Sequence, residues 1–249
     1  MPTDPERPEV PGPGIGSALS SVSASGSRRG LPAHGTLKYF YGPMDCGKST
    51  LALQVDHNHS RQGRRGLLLT KLDRSRSGQI TSRMGLSKPA TEIDDSMDLG
   101  DLVRASLAAG KRVDYLIVDE AQFFSPAQIE QLAQLADDAQ VDVYAFGIAT
   151  DFRGVLFPGS QRLFELADEV VPLQVEVLCW CGRPGRFNAR LVDGRIAREG
   201  ATVMVADLAD RVDNDARASV RYQVLCRTHH RSGDLGPGGG PELPLPDVD

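Results

Sequence analysis

The sequence lacks any apolar run long enough to cross a membrane, and its N-terminus lacks the basic-then-apolar pattern of a secretory signal. It also lacks an excess of basic charge, because 28 Lys and Arg residues are balanced by 33 Asp and Glu residues. Such a protein has no general electrostatic attraction for nucleic acid or an anionic membrane, so any anion must be bound locally. We therefore expect a cytoplasmic protein with no membrane partner and no stable nucleic-acid partner.

Cysteine is scarce, with four residues in a chain of 249. Three of them, Cys179, Cys181 and Cys226, are grouped far from the fourth, and in a reducing cytosol such a group indicates a metal before disulfides. With His229 they form Cys-x-Cys and Cys-x-x-His pairs, a complete tetrahedral ligand set for Zn²⁺. A complete set leaves no position for a substrate, so the sequence predicts a structural zinc site. Two alternatives stay open: His230 replaces His229, or the thiols bind no metal.

Both ends of the chain lack an apolar period. Residues 1–35 are rich in Pro, Gly and Ser, and the tail "SGDLGPGGGPELPLPDVD" has the same character. We predict a disordered N-terminal extension over residues 1–35 and a disordered tail over residues 232–249. Between them we predict two domains, an α/β domain over residues 36–176 and a small zinc-binding domain over residues 177–231.

Strand-like and helical patterns alternate through the larger domain. Short apolar runs predict strands at "LKYFYG", "RGLLLTK", "VDYLIVDE", "VDVYAFGI" and "VVPLQVEVL". Helical spacing is found in "KSTLALQVDHNHSRQG", "MDLGDLVRASLAAG" and "SPAQIEQLAQLADDA". Interleaved strands and helices predict a three-layer α/β domain with a mostly parallel sheet flanked by helices. Ligands of such a sheet bind at the carboxyl ends of its strands.

The stretch "GPMDCGKST" follows the first predicted strand, opens the first predicted helix and fits the phosphate-loop pattern G-x-x-x-x-G-K-[ST]. In this pattern backbone N–H groups surround a phosphate, Lys48 reaches the β and γ oxygens, and Ser49 can ligate Mg²⁺. The alternative is a glycine-rich turn that binds no ligand, but a chain of this composition would rarely match the full pattern by chance. We predict an Mg-ATP site formed by Gly42, Pro43, Met44, Asp45, Cys46, Gly47, Lys48, Ser49 and Thr50, with Cys46 as a passive small residue rather than a redox switch.

Two acids, Asp119 and Glu120, end the strand "YLIVDE". An acid at this position of a sheet that carries a phosphate loop lies near the Mg²⁺ of the nucleotide, which is the role we predict for Asp119. Glu120 lies one residue further into the loop and is free to accept a proton from water or a substrate hydroxyl. Without the phosphate loop, the same pair would be interpreted equally well as solvated loop acids.

The segments "GPMDCGKST", "SRMGL", "VDEAQFF", "TDFRGVLFPGSQ" and the cysteine module, in the order of the chain, resemble the tetrameric, zinc-containing thymidine kinases of bacteria and the animal cytosol. The resemblance extends over residues 37–229. It implies a RecA-like P-loop domain, a small zinc-binding lasso domain, a homotetramer, and ATP-dependent 5′-phosphorylation of thymidine to thymidine monophosphate.

The resemblance also implies residue roles for phosphoryl transfer. Glu120 matches the family's catalytic base, which deprotonates the 5′-hydroxyl of thymidine. Asp73 and Arg74 match an acidic and a basic residue of the family in a loop after the second strand. We expect Asp73 near Mg²⁺, and we expect Arg74 and Lys48 at the transferred phosphoryl group. Gln122 falls in the family's "DE-x-Q-F" segment and is predicted to belong to the nucleotide site.

A further set of residues is expected to enclose the nucleoside in an apolar slot. For each Phe considered separately, the alternative to a nucleoside contact is a packing position in the core. The chain departs from the family before Tyr222, where "VADLADRVDNDARASVRY" lacks the usual glycine turn, so selectivity for thymidine over deoxyuridine stays open. The predicted nucleoside-binding residues are Met44, Phe123, Phe124, Phe152, Phe157 and Tyr222.

A rival hypothesis is a P-loop ATPase whose zinc module binds DNA. The module contains five arginines that would supply a basic stripe for such a function. Against it stand the acidic overall balance and the "DFRG" loop, for which an ATPase cycle has no need. The five residues are Arg183, Arg186, Arg190, Arg195 and Arg198.

Overall fold

The structure is a computed structural model that describes residues 34–71, 78–173, 175–202 and 220–237. The predicted N-terminal extension and tail fall outside these ranges, apart from residues 34, 35 and 232–237. None of the helices within the described ranges is long and apolar enough to cross a membrane. In chain order the elements are β1 (Leu37–Tyr41), α1 (Lys48–Arg61), β2 (Gly66–Thr70), β3 (Gln79–Thr81), β4 (Ser87–Pro89), β5 (Thr91–Glu92), α2 (Leu99–Ala108), β6 (Tyr115–Val118), a 3₁₀-helix (Ala121–Phe123), α3 (Pro126–Ala139), β7 (Asp142–Gly147), α4 (Pro158–Leu166), β8 (Glu169–Pro172), β9 (Phe187–Val192), β10 (Arg195–Ile196), β11 (Val220–Leu225) and α5 (Arg227–Ser232).

The larger sheet has six strands in the order β5-β2-β6-β7-β1-β8. Every pairing within it is parallel. The predicted α/β fold with a mostly parallel sheet is thus confirmed, as are the three predicted helices α1, α2 and α3. The last predicted strand, Val170 to Leu178, is shorter than expected, since β8 ends at Pro172.

Helices cover both faces of this sheet. On β6 the side chains alternate between the two faces: Leu116 and Val118 lie in one buried cluster, and Ile117 lies in the other. All four residues of β6 are buried, which is why this strand is a continuous apolar run rather than an alternating one. Helices α2, α3 and α4 contribute Leu99, Val103, Ile129, Leu132 and Leu163 to the first cluster, and α1 contributes Ala52 and Leu53 to the second.

The strand order decides which loops meet at the carboxyl edge of the large sheet, hereafter the phosphate edge. Strand β7 lies between β1 and β6, so the loop after β1 and the acids after β6 are separated by one strand. The next helix after the acids, α3, begins sharply because Ser125 and Gln128 form a reciprocal capping box and Pro126 occupies the first turn. This cap fixes the short segment that carries the acids against the sheet.

A second, three-stranded antiparallel sheet, β10-β9-β11, and helix α5 form the metal module, defined here as residues 177–202 and 220–237. The sequence pattern predicts a zinc-binding domain here but no strands within it, whereas the structure has two strands of six residues each, β9 and β11. In β9 the polar side chains of Asn188 and Arg190 are buried, so polar residues occupy positions where a strand pattern expects apolar ones.

Candidate active site and metal cluster

The phosphate loop joins the end of β1 to the start of α1. Gly47 caps the helix with φ of 78°, a left-handed conformation that favours glycine, and its carbonyl accepts the N–H of Leu51 at 3.0 Å. Lys48 Nζ folds back over the loop and donates to Pro43 O at 2.7 Å. A helix N-terminus that opens into a loop with a lysine above it is a site for a phosphate group. Cys46 is 1% exposed, in agreement with its interpretation as a small packing residue.

The "SRMGL" segment forms the turn between β3 and β4, beside the phosphate loop. Arg83 in this turn forms an ion pair of 2.5 Å with Asp45 of the loop. Both side chains are largely exposed, so this pair contributes little stability but links the two segments.

Asp119 follows β6 and is 4% exposed. Burial raises the pKa of Asp119 to about 7, and the neighbouring charge of Glu120 adds to the rise. A hydrogen bond from the Ser49 hydroxyl and the charge of Lys48 act in the opposite direction. A buried carboxylate is stabilised as an anion by a nearby cation, and a hydroxyl with a carboxylate is an oxygen ligand set of the kind Mg²⁺ prefers. Ser49 and Asp119 therefore fit Mg²⁺.

Glu120 has a left-handed backbone, with φ of 51°, which is uncommon for a residue other than glycine. The Gln122 side chain fixes its carboxylate: Nε2 of Gln122 donates to Glu120 Oε2 at 2.6 Å. Gln122 is itself 2% exposed and held at the other end, where its Oε1 accepts from Ile148 N at 3.1 Å. A Cβ at Gly147 would lie 2.8 Å from that Oε1, so the glycine at the end of β7 makes room for the amide.

The structure thus brings the phosphate loop, Asp119, Glu120 and Gln122 to one edge of one sheet. Asp73 and Arg74 lie outside the described residues. Their predicted roles at Mg²⁺ and at the transferred phosphoryl group stay predictions.

The predicted nucleoside-binding aromatics have different surroundings. Phe123 and Phe157 contact each other edge to face, with ring centroids 5.6 Å apart. Phe152 is 3% exposed, and the guanidinium carbon of Arg190 lies 4.0 Å from its ring centroid. Phe124 is 1% exposed and belongs to the main core, where Lys71 Nζ lies 5.6 Å from its ring centroid. Phe124 is therefore a packing residue of the core, which was the alternative to a nucleoside contact.

Arg190 contacts two of the predicted nucleoside-binding residues, Phe152 and Tyr222, and the sequence offers no signal for these contacts. It is 1% exposed, its Nε donates to Tyr222 Oη at 2.9 Å, and its other nitrogens donate to the carbonyls of Ala201 at 2.6 Å and Thr202 at 2.8 Å. The interpretation of this arginine as part of a DNA-binding stripe is wrong, because a buried guanidinium cannot reach a phosphate backbone. It instead joins Phe152 to Tyr222 and so to the strand β11.

The metal module also touches the phosphate loop directly. Asn188 Oδ1, on β9, accepts the backbone N–H of Met44 at 2.8 Å. Asn188 is 3% exposed, so this hydrogen bond is shielded from water. Met44 is thereby held at the boundary between the phosphate loop and the metal module.

The candidate metal ligands of the metal module form one cluster. Sulfur and nitrogen atoms of Cys179, Cys181, Cys226 and His229 all lie within 4.8 Å of one another. Cys179 Sγ and Cys226 Sγ are 3.3 Å and 3.6 Å from His229 Nδ1, and Cys181 Sγ is 4.0 Å from Cys226 Sγ. Zn–S bonds of about 2.3 Å and Zn–N bonds of about 2.0 Å in a tetrahedron would give ligand separations of about 3.5 to 3.8 Å. The cluster therefore fits Zn²⁺ with His229 Nδ1 as the fourth ligand.

His230 lies outside this cluster, so of the two histidines it is His229 that fits as the fourth ligand. His230 Nε2 lies 2.8 Å from the carbonyl oxygen of Phe152. His229 instead stacks on Trp180, with ring centroids 4.3 Å apart, and its Nε2 lies 4.0 Å from Asp234 Oδ2.

The parallel sheet carries a phosphate loop after its first strand and a buried acid after β6, with β7 between the two strands. These features, with the Cys/His cluster in an attached module, define a P-loop nucleotide-binding protein. A sequence model of the family described as "Thymidine kinase" matches residues 35–230. The chain belongs to the thymidine kinase family, which confirms the resemblance and the prediction that it is an enzyme of the kinase class.

Known proteins of this name are similar over most of the chain. The chain is 55% identical over 195 residues to the thymidine kinase of Streptomyces coelicolor, which covers 78% of this chain and 88% of that protein. It is 52% identical over 200 residues to that of Cutibacterium acnes, covering 80% and 90%, respectively. The thymidine kinase of Ruegeria pomeroyi is 38% identical over 205 residues, covering 81% of this chain and 96% of its own length.

Proposed function

We propose that the protein transfers the γ-phosphoryl group of Mg-ATP to the 5′-hydroxyl of thymidine and releases thymidine monophosphate. The proposal rests on one observation. On the phosphate edge, only strand β7 separates the phosphate loop from Glu120, whose carboxylate is held by the Gln122 amide. The family and its named members supply the nucleoside. A homotetramer, which the resemblance implies, and a cytoplasmic location, which the sequence pattern favours, are part of the same proposal.

The phosphate loop binds the triphosphate in this proposal. Backbone N–H groups at the start of α1 and the ammonium of Lys48 neutralise the β and γ oxygens. Ser49 and Asp119 would hold Mg²⁺, which supplies further neutralisation of the phosphate charge when bound. We assign Asp73 to the same metal environment and Arg74 to the transferred group. Phosphoryl transfer requires mainly that the substrates are positioned and that the phosphate charge is neutralised, and these groups provide both.

Glu120 accepts the proton of the 5′-hydroxyl. Gln122 holds one carboxylate oxygen and so restricts the direction in which the other can accept a proton. The Gln122 amide is fixed in turn by the backbone of Ile148, which makes this orientation a property of the folded sheet edge. We therefore assign Gln122 to the positioning of the base, although the sequence placed it in the nucleotide site.

The nucleoside lies between the phosphate edge and the metal module. Met44 of the phosphate loop and the edge-to-face pair of Phe123 and Phe157 offer apolar surface, and Arg190 contacts both Phe152 and Tyr222. A structural Zn²⁺ at the Cys/His cluster keeps the module in place, since its own buried apolar set is small.

Phosphoryl transfer is tested with the purified protein, labelled Mg-ATP and a panel of nucleosides, while ATP hydrolysis is followed in parallel. We expect labelled thymidine monophosphate, with little transfer to cytidine or to purine nucleosides. Deoxyuridine in the same panel reports the selectivity that the sequence leaves open. Hydrolysis of ATP without labelling of any nucleoside would overturn the proposal and favour an ATPase, whose metal module would then be tested for DNA binding.

A further inference from the structure

The 151–157 loop, which carries two of the proposed nucleoside-binding residues, is contacted by a histidine of the metal module. His230 lies on α5, directly after the proposed metal ligand His229, and is 6% exposed. Its Nε2 lies 2.8 Å from the carbonyl oxygen of Phe152. A carbonyl oxygen only accepts hydrogen bonds, so Nε2 carries the proton and donates it. One buried hydrogen bond thus connects the helix of the metal module to the backbone of the loop.

The imidazole of His230 is held in place by the metal module itself. Its ring stacks on Phe187 of β9, with centroids 4.7 Å apart and planes 19° from parallel. The carbonyl oxygen of His230 accepts a hydrogen bond of 2.5 Å from Arg198 Nη2, and its N–H donates to Cys226 O at 2.9 Å. The ring and the backbone of His230 are therefore both fixed, so it can act as a rigid support for the loop.

Phe152 is held from two directions. His230 holds its backbone carbonyl, and the guanidinium of Arg190 covers one face of its ring at 4.0 Å. Within the loop, Arg153 forms an ion pair of 2.6 Å with the buried carboxylate of Asp151, and the N–H groups of Gly154 and Val155 also donate to Asp151. The metal module therefore contacts the loop at the Phe152 carbonyl, at the Phe152 ring and, through Thr202, at Arg153. Among these contacts, the one from His230 is made to a backbone group.

We propose that His230 is a positioning residue through which the metal module fixes the 151–157 loop for nucleoside binding, with no part in binding ATP. This inference rests on the proposed function, because it assumes that Phe152 and Phe157 border the nucleoside. The simpler reading is that His230 only fills space in the interior. The two differ in consequence: space filling affects stability, whereas positioning affects the affinity for one substrate.

The test compares three substitutions in the full-length, zinc-loaded protein. His230→Phe keeps a ring that can stack on Phe187 but removes the donor, and His230→Gln keeps an amide donor at the reach of Nε2. Arg227→Ala, at an exposed position of the same helix, is the matched control. The readouts are the dissociation constants of thymidine and of Mg-ATP by calorimetry, kcat, and zinc per chain.

We expect His230→Phe to raise the thymidine dissociation constant by about tenfold, the size of one lost buried hydrogen bond, with the Mg-ATP constant changed by less than about twofold. His230→Gln should restore most of the thymidine affinity, and Arg227→Ala should match the wild type. Zinc content should be the same in all four proteins. Should His230→Phe prove insoluble, His230→Asn, whose amide is one methylene too short to reach Phe152, replaces it with the same expected result.

Unchanged thymidine affinity in His230→Phe, or an equal loss of affinity for thymidine and Mg-ATP, would overturn the inference. A loss in His230→Gln as large as that in His230→Phe would also overturn it, since the donor would then be irrelevant. Failure of the proposed function is seen separately, because the wild type would then bind no thymidine.

Discussion

The phosphate edge and the metal module hold their side chains in place by different means. Asp119 and Glu120 follow β6, a central strand whose four residues are all buried, and helices cover both faces of its sheet. The buried hydrophobic cluster described for the metal module consists of Cys179, Ala189, Leu225 and Cys226, and two of these are proposed metal ligands. One region is therefore stabilised by apolar packing, and the other by buried hydrogen bonds and, in the proposed function, by a bound zinc ion.

This difference matters because the two regions meet at the proposed active site. Asn188 binds the backbone of Met44, and His230 binds the backbone of Phe152, so the metal module contacts both the phosphate loop and the 151–157 loop. A change in the metal module should therefore weaken nucleoside binding more than triphosphate binding, because the triphosphate site is built on the large sheet. The predictions below test that separation.

The largest effect is expected from loss of the metal. Cys226→Ser, or treatment with a strong chelator, should release zinc and destabilise the metal module by several kcal/mol, because the binding free energy of a structural zinc is folding free energy. Thymidine affinity should fall much more than Mg-ATP affinity. Zinc analysis, calorimetry with both ligands and thermal unfolding measure the three quantities.

Cys46→Ser is the control for this substitution, since Cys46 is a buried thiol outside the metal cluster. It should retain a full complement of zinc. Equal weakening of thymidine and Mg-ATP binding by Cys226→Ser would show that the two regions are not separable.

A smaller effect is expected from Gln122→Glu, which acts on the phosphate edge alone. The new carboxylate keeps an acceptor for Ile148 N but replaces the donor to Glu120 with a like charge. A like charge raises the pKa of the pair, so one carboxyl is protonated at neutral pH, and kcat should fall by about tenfold or more. Because the base is regained by deprotonation, the ratio of mutant to wild-type kcat should rise as the pH is raised.

The matched control is Gln134→Glu, which adds the same charge at an exposed position of α3. Its pH profile should follow that of the wild type. A Gln122→Glu enzyme with wild-type kcat at neutral pH would remove Gln122 from the positioning of the base.

The smallest effect is expected from Ser125→Ala, which removes half of the capping box of α3. The hydroxyl accepts the N–H of Gln128 at 3.2 Å, and loss of such a cap costs about 1 kcal/mol of stability. Urea unfolding should show this decrease with unchanged zinc content, because the helix belongs to the packed domain and not to the metal module. The exposed substitution Gln134→Ala should change the free energy of unfolding by less than about 0.5 kcal/mol.

Much of the phosphate edge could be predicted because its chemistry is carried by consecutive residues. The phosphate loop is one uninterrupted pattern, and Asp119 and Glu120 directly follow an apolar strand. The Cys/His cluster could be predicted as well, since ligand type and spacing are local features. The choice of His229 over His230 could not, because it depends on which side of a short helix faces the other cysteines.

The metal module was predictable only in its ligands. Arg190 is satisfied by carbonyls eleven and twelve residues further along the chain, so no local pattern distinguishes it from an exposed arginine. The same holds for Asn188, whose partner is 144 positions away. Helix α4 has no clear sequence signal, because its nine residues begin with Pro-Gly, a dipeptide typical of turns.

The account depends most on Glu120 as the base that deprotonates the nucleoside hydroxyl. The most direct test measures Glu120→Gln for thymidine binding, Mg-ATP binding and turnover in one preparation. We predict dissociation constants within about twofold of the wild type and a fall in kcat of about 10²- to 10⁴-fold, since the substitution removes the proton acceptor and little else. Turnover within a few-fold of the wild type would contradict the account and assign the proton to another group.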